Sequence, residues 1–525
     1  MLGNQLFRRC ATAAAHAGLD PAAAARYKAR ISCPEPMTAT TPDVAAFQLM
    51  RAGRLDEARV QAERAVALAR GCSSAHGLLA TILLQLGRAA EADALIEMAM
   101  GLEPTNADAW DALAYVSLHL GEHTRANDLY RRAAQLAPDV PRHWYNLASS
   151  ERSFGRLAQA EEACNRAIAL DEQEYRSYLL RSELRVQTAA DNHVAQLREQ
   201  LGRAPLDDTA RVFLGYALGK ELDDLSEFDE AFRWFSLAAS TRRHRLQYDV
   251  GRDEHKLKRI AAVFAQARCG GEATGSERFI FIVGLPRSGT TLLERILSNL
   301  PDVHSNGETD HFAHALLATA PQSRSAGGTY ADVFERAAAA DPAAVAAHYA
   351  RLAGAERRGG WILDKLPMNF LYLGAIHRAL PRARLLFVTR SPLDSCFAMY
   401  RTLFGAAYPF SYDLHDLARY YAAYTQLMTH WRTTLGEALH EVSYDALVRD
   451  PIGTAAAAAR FCDLQWQDGA IAIEGNAAVS LTASAAQIRR PIYGTSSGRW
   501  RHYRGPLSPL IAELRRRQIA LPDGA

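Results

Sequence analysis

A chain of 525 residues with 49% hydrophobic content has the make-up of a globular protein and is too long for one ordinary core. Its 60 Lys+Arg and 58 Asp+Glu are interspersed and leave a formal charge of +2, which excludes a basic run of the kind that binds nucleic acid. Seven cysteines (Cys10, Cys33, Cys72, Cys164, Cys269, Cys396, Cys462), scattered and without a CxxC pair, argue against a disulfide framework and a zinc site and read as ordinary buried thiols.

In chain order, residues 1–42 read as an Ala- and Arg-rich leader, helical or disordered, with an organelle-type transit segment as the lesser alternative. No apolar stretch reaches the length of a membrane span and no continuous apolar h-region opens the chain, so the expected location is cytoplasmic. Over residues 43–265 the chain declares itself by period. Gly53, Gly87, Gly121 and Gly155 recur every 34 residues, as do Ala58, Ala92, Ala126 and Ala160, and Ala65, Ala99, Ala133 and Ala167. That is the tetratricopeptide period: glycine fits the turn between paired helices and the alanines let the pair approach closely. Residues 224–240 read as one more, degenerate unit. Trp110, Tyr115, Tyr130, Trp144 and Tyr145 are read as inter-helix packing in preference to a ligand groove. The Gly-rich segment 266–277 is the expected linker, and 278–525 the second domain.

This second domain opens with a buried strand, Phe279 to Val283, a loop Gly284-Leu285-Pro286-Arg287-Ser288-Gly289, and an amphipathic helix from Thr290. Such an arrangement aims backbone N–H groups and a helix N-terminus at an anion, as a phosphate cradle does. The Gly284 to Gly289 spacing is that of a P-loop, but Thr290 stands where nucleotide triphosphatases need Lys. A second strand, Arg384 to Thr389, ends on Arg390, and Ser391-Pro392 then opens a helix. Trp361 to Phe370 carries Asp364-Lys365-Leu366-Pro367-Met368-Asn369, Val442 to Leu447 carries Tyr444, and Thr482 to Tyr493 leads on to Gly498-Arg499-Trp500.

The ordered set resembles the sulfotransferases that use 3′-phosphoadenosine 5′-phosphosulfate (PAPS), in particular the tyrosylprotein branch and the bacterial repeat-containing enzymes. The resemblance implies a tetratricopeptide solenoid followed by a P-loop-like domain with a central parallel sheet (α plus α/β). It implies that Arg287, Ser288, Gly289, Thr290 and Thr291 hold the 5′-phosphosulfate, Arg390 the 3′-phosphate, and Tyr444, Gln487, Arg489 and Arg499 further parts of the donor. The family's serine eight residues after the arginine is Ala398 here, and Ser395, three residues earlier, could share that helix face. Lys365 is implied as leaving-group cation, with Arg287 and Ser484 beside it, and no metal is expected.

Glu308, in Ser305-Asn306-Gly307-Glu308-Thr309-Asp310, matches the branch's carboxylate base, with His311 as runner-up. Protein or peptide tyrosine is the favoured acceptor, held by the repeats. A carbohydrate or small-molecule acceptor, an interaction protein with an inactive sulfotransferase fold, and a nucleoside triphosphatase or kinase remain open, as does a homodimer.

Overall fold

A computed structural model of the protein describes residues 41–203, 205–265, 278–322, 332–355, 359–476, 478–482, 485–494 and 496–525. The leader up to residue 40, the linker 266–277 and Ser484 lie outside the described residues. By their contacts the described residues divide into two compact units, one up to Val186 and one from Gln187 to Ala525.

In the first unit, helix pairs follow the 34-residue period: Pro42–Arg51 with Leu55–Leu68, Ser73–Gln85 with Ala89–Gly101, Ala107–His119 with His123–Leu136, and Pro141–Ser153 with Leu157–Leu170. Every pair turns on a glycine with φ between 73° and 82°. The left-handed conformation costs an L-residue its Cβ clearance, which is why glycine recurs there. The turn closes alike each time: Gly121 N–H donates to Leu118 O at 3.2 Å and Glu122 N–H to Ser117 O at 2.9 Å. Ala58, Ala92, Ala126 and Ala160 are wholly buried where the paired helices meet. Trp110 and Trp144 make one device twice, donating their indole N–H to Pro104 O (2.7 Å) and Pro138 O (3.0 Å) while packing against the core.

The second unit opens with a short helix, Val194–Gly202, and then another helix pair, Asp208–Asp224 and Phe228–His244. Ser226 takes the place of the turn glycine at φ 65°, and the turn closes as in the repeats, Ser226 N–H donating to Asp223 O and Glu227 N–H to Leu222 O. The expected boundary at 266–277 therefore differs from the one that contacts draw near Gln187. Tyr216 donates to Tyr400 O (3.2 Å), Arg243 pairs with Asp416 (2.8 Å) and Arg419 with Glu254 (2.6 Å), so this pair and the following helix, Val250–Val263, pack as part of the sheet unit.

The sheet runs β1 (Arg278–Gly284), β2 (Val303–Ser305), β3 (Trp361–Asp364), β4 (Arg384–Thr389) and β5 (Leu439–Ser443), in the order β2-β3-β1-β4-β5 with every pairing parallel. β1 is central and buried from Phe279 onward, the near-continuous apolar run that a strand covered on both faces requires. Helix Thr290–Ser298 returns over one face and seals it through Leu293, Ile296 and Leu297. Parallel strands bring all five carboxyl ends to one edge, where α/β sheets bind ligands. Among the described residues no helix is long and apolar enough to cross a membrane.

The turn geometry is testable at two positions. A Cβ at Gly121 would meet no neighbouring atom, so Gly121→Ala should cost only backbone strain, about 1–2 kcal/mol, whereas Ser226→Gly should relieve such strain and be neutral or stabilising. Urea unfolding followed by circular dichroism should move the midpoints in these opposite senses; a drop for both would mean Ser226 is not held as a turn residue.

Candidate active site

At the carboxyl end of β1 the loop Leu285 to Gly289 turns tightly, Ser288 N–H donating to Leu285 O at 3.2 Å, with Arg287 at φ 65° and Gly289 at φ 103°. Both flanking glycines are sterically required. A Cβ on Gly284 would lie 2.7 Å from Val388 O and 2.9 Å from Ser288 Oγ, and one on Gly289 would overlap the Tyr444 ring. The Ser288 hydroxyl is buried without a protein partner, which a donor phosphate would supply. Thr290 and Thr291, also buried, open the helix that starts here.

At the ends of β4 and β5, Arg390 donates to Arg287 O (2.9 Å) and Ser496 O (2.6 Å) and lies 4.7 Å over the Tyr444 ring. Tyr444 in turn shares a 2.5 Å hydrogen bond with Ser496. Arg287 donates to Gln487 Oε1 at 2.7 Å, so Arg287, Ser288, Gly289, Arg390, Tyr444 and Gln487 meet around one loop. Ser395 lines a small cavity with Ser288, Thr389 and Arg390, its hydroxyl donating to Arg390 O at 3.4 Å. Ala398 lies one turn further on, buried, its carbonyl taken by Thr402.

At the ends of β2 and β3 the ladder continues beyond the strands. Asn306 N–H donates to Leu363 O (2.9 Å) and Lys365 N–H to Gly307 O (3.0 Å), which delivers Glu308 to Lys365. The Lys365 ammonium has no exposed surface; it donates to Glu308 Oε1 at 2.5 Å and lies 3.5 Å from Glu294 Oε2. Burial alone would push this amine down, but Glu308 and Glu294 more than reverse that and hold it above its ordinary value. Asp364 beside it is wholly enclosed, bonded by Tyr349 and Asn369 at 3.1 Å each, and burial pushes its carboxyl up to about 7. His311 is pushed down chiefly by burial, while His314 is raised by its 3.2 Å pairing with Asp310.

Two expected donor ligands are turned to protein partners. Arg489 donates to Asn476 O (2.5 Å) and Ala478 O (2.9 Å), and Arg499 pairs with Asp223 at 2.8 Å. Asp223 is 1% exposed and also takes Arg401 and Tyr503. The physical reason is charge: a buried carboxylate needs cations, and it draws Arg499 into a structural pair. Reading by sequence missed Glu294, because its spacing, four residues after Thr290, does not by itself mark a carboxylate as turned inward. Among the described residues no cluster of His, Cys, Asp and Glu is placed to hold a metal.

Comparison with known proteins agrees with the two-part plan. A model of the sulfotransferase family matches residues 279–468, and tetratricopeptide-repeat models match 49–114, 107–150 and 142–174. An uncharacterised protein of Aquifex aeolicus (strain VF5) is 28% identical over 62% of this chain, which spans 44% of that relative's length. A putative protein-tyrosine sulfotransferase of Caenorhabditis briggsae is 26% identical over 36% of this chain and 67% of its own. The solved sulfotransferase domain from the curacin biosynthetic pathway aligns at 18% identity over 47% of this chain and all of its own, with a TM-score of 0.35. The chain thus carries tetratricopeptide repeats followed by a sulfotransferase-family domain.

The Asp223 cluster predicts an acid-sensitive fold. Burial pushes its carboxyl up, but Arg401 and Arg499 outweigh this and hold it below the usual range. A depressed carboxylate stabilises above its unfolded pKa, about 4, and the contribution is lost as pH falls through the folded value. Asp223→Asn should destabilise at pH 7 by about 3 kcal/mol, as an uncompensated Arg pair does, and should flatten the loss of stability below about pH 4. An unchanged acid limb in urea titrations would remove Asp223 from that role.

Proposed function

We propose that the domain is a PAPS-dependent sulfotransferase acting on an acceptor hydroxyl, with a protein or peptide tyrosine as acceptor. The observation that carries this reading is the contact of Glu308 with buried Lys365 beside a P-loop-like turn that lacks the triphosphatase lysine. A sulfotransferase needs a base for the hydroxyl and a cation for the departing phosphate, held close together. PAPS, when bound, supplies the activated sulfuryl group and a 5′-phosphate leaving group.

Each role falls to a residue of this chain. Glu308 accepts the acceptor's hydroxyl proton on its carboxylate, and with about a third of its side chain exposed it can be reached by that group. Lys365 turns its ammonium to the negative charge that grows on the leaving oxygen. Ser288, Thr290 and Thr291 give hydroxyl and amide donors to the 5′ end, and Arg287 neutralises it. Arg390, whose bonds run to neutral carbonyls, takes the 3′-phosphate. The tyrosine acceptor rests on the Glu308 segment, on the relative named a putative protein-tyrosine sulfotransferase, and on the use of tetratricopeptide arrays to hold peptides.

Two measurements test the assignment. Adenosine 3′,5′-bisphosphate should bind without metal and adenosine 5′-monophosphate much more weakly, and Arg390→Ala should weaken the bisphosphate roughly ten- to a hundredfold, the worth of one charged hydrogen-bond partner. Equal affinity for the two nucleotides would remove the 3′-phosphate site. Glu308→Gln should leave bisphosphate binding nearly intact while lowering sulfuryl transfer to a tyrosine peptide by roughly a hundredfold or more. Full turnover in that variant would move the search for the base to His311.

A further prediction concerns the missing serine. Ser395→Ala should weaken bisphosphate binding, because Ser395 lines the cavity with Arg390, and Ala398→Ser should change it by no more than one hydrogen bond's worth, about 1.5 kcal/mol. Calorimetric titration of both variants decides; an effect from Ala398→Ser alone would place the phosphate one turn further along the helix.

A further inference from the structure

We infer that Glu294 is a positioning residue of the catalytic site: it holds Lys365 in place and keeps it charged when Glu308 turns to the acceptor. The inference rests on the sulfotransferase reading of Lys365 and Glu308 and extends it to a residue no motif marks.

Glu294 is 6% exposed on helix Thr290–Ser298, and a buried carboxylate requires partners. Its Oε1 accepts from Ser305 Oγ at 2.6 Å, while Oε2 lies 3.5 Å from Lys365 Nζ. Ser305 is itself held, accepting from Gly307 N–H at 3.0 Å, so the loop that delivers Glu308 also orients Glu294. The ammonium therefore sits between one carboxylate that is partly exposed and one that is enclosed.

Proton bookkeeping gives the two carboxylates different tasks. In transfer, the acceptor oxygen forms the new bond to sulfur, the bond from sulfur to the 5′-phosphate oxygen breaks with its electron pair going to the phosphate, and the hydroxyl proton goes to Glu308. Glu308 then becomes neutral and ceases to be a counter-ion. A lysine with no exposed surface, left with only the departing phosphate as anion, would pass its proton to that phosphate and lose its charge when it is needed. Glu294, locked by Ser305 and carrying no proton in the step, supplies the charge that stays.

Among the described residues, the charged groups facing Lys365 are Glu308 from the segment after β2, Glu294 from the helix after β1, and its chain neighbour Asp364, whose oxygens are bonded by Tyr349 and Asn369. Asp364 is common to all variants below, so their differences do not report its titration.

The test reads donor-product binding, needs no acceptor, and uses the full chain. Adenosine 3′,5′-bisphosphate affinity is measured from pH 7.5 to 10, above the second ionisation of its phosphates. Wild type should vary less than about twofold, because both carboxylates keep Lys365 charged. In a Glu308→Gln background, whose neutral amide stands for the protonated base, Glu294→Gln should weaken binding progressively, by roughly tenfold at pH 10, with proton uptake on binding detected by calorimetry in buffers of different ionisation enthalpy. In a Lys365→Ala background, adding Glu294→Gln should change nothing, since the effect runs through the lysine. Ser305→Ala in the Glu308→Gln background, which loosens Glu294 without altering its charge, should shift the same way by less and serves if Glu294→Gln does not fold. A pH-independent affinity in the folded Glu294 or Ser305 variant of the Glu308→Gln background, or an equal loss in the Lys365→Ala background, overturns the inference. Failure of wild type to bind the bisphosphate without metal overturns the sulfotransferase reading instead.

Discussion

The active edge of this domain is organised by one buried positive charge. Removing an ammonium from water costs several kcal/mol even after relaxation, so Lys365 is tolerated only where anions are fixed around it. The parallel sheet provides that fixation through backbone geometry. Continuing the β2–β3 ladder to Gly307 sets Glu308 by hydrogen bonds that involve no side chain, and the helix returning from β1 sets Glu294 by its period. The residues assigned to proton transfer and charge neutralisation are thus placed by the same ladder and helix that build the core.

The opposite half of the edge is held from further away. Arg390 and Tyr444 are covered by the turn at Ser496 to Gly498, and that turn is tied down by carboxylates: Asp445 accepts from Ser497, and Asp394 from Gly498 N–H at 2.8 Å. The next residue, Arg499, is anchored by Asp223 on the helix pair that precedes the sheet. A chain of short contacts therefore runs from a repeat-like helix to the proposed 3′-phosphate arginine. The pair Asp208–Asp224 and Phe228–His244 belongs to the catalytic unit by its contacts as well as by its compactness.

What could be read in the sequence follows from how far apart the determinants lie. The repeat turns were legible because a left-handed glycine and two fitted alanines are local requirements that recur every 34 residues. The strand, loop and helix at 279–298 were legible for the same reason. Ser226 shows the limit of that signal: it reproduces the turn without the glycine, yet nothing in a turn says which core its helices join. Glu294 was missed because a single carboxylate on an amphipathic helix normally faces solvent, and only Lys365 and Ser305, brought in from other strands, turn it inward. Arg499 sat in the right segment, but an arginine's reach lets tertiary structure choose its partner, here the buried Asp223.

That choice also separates arginines that can serve an anionic ligand from those that hold the fold. Arg390 donates to neutral carbonyls, and a phosphate can replace such bonds with stronger, charge-assisted ones. Arg499 is paired with a carboxylate that is 1% exposed, so a phosphate drawing it away would leave Asp223 buried with one guanidinium fewer. Breaking a buried pair costs more than an exposed phosphate contact returns. On this ground Arg499 is held by the fold, whereas Arg489, like Arg390, is bonded to neutral carbonyls, those of Asn476 and Ala478; Arg287, Lys365 and Arg390 stand at the ends of three neighbouring strands, β1, β3 and β4. Under the sulfotransferase reading proposed above, a donor with two separated phosphates would spread its charge along these cations, whereas a linear triphosphate would crowd its charge onto the loop that lacks the triphosphatase lysine.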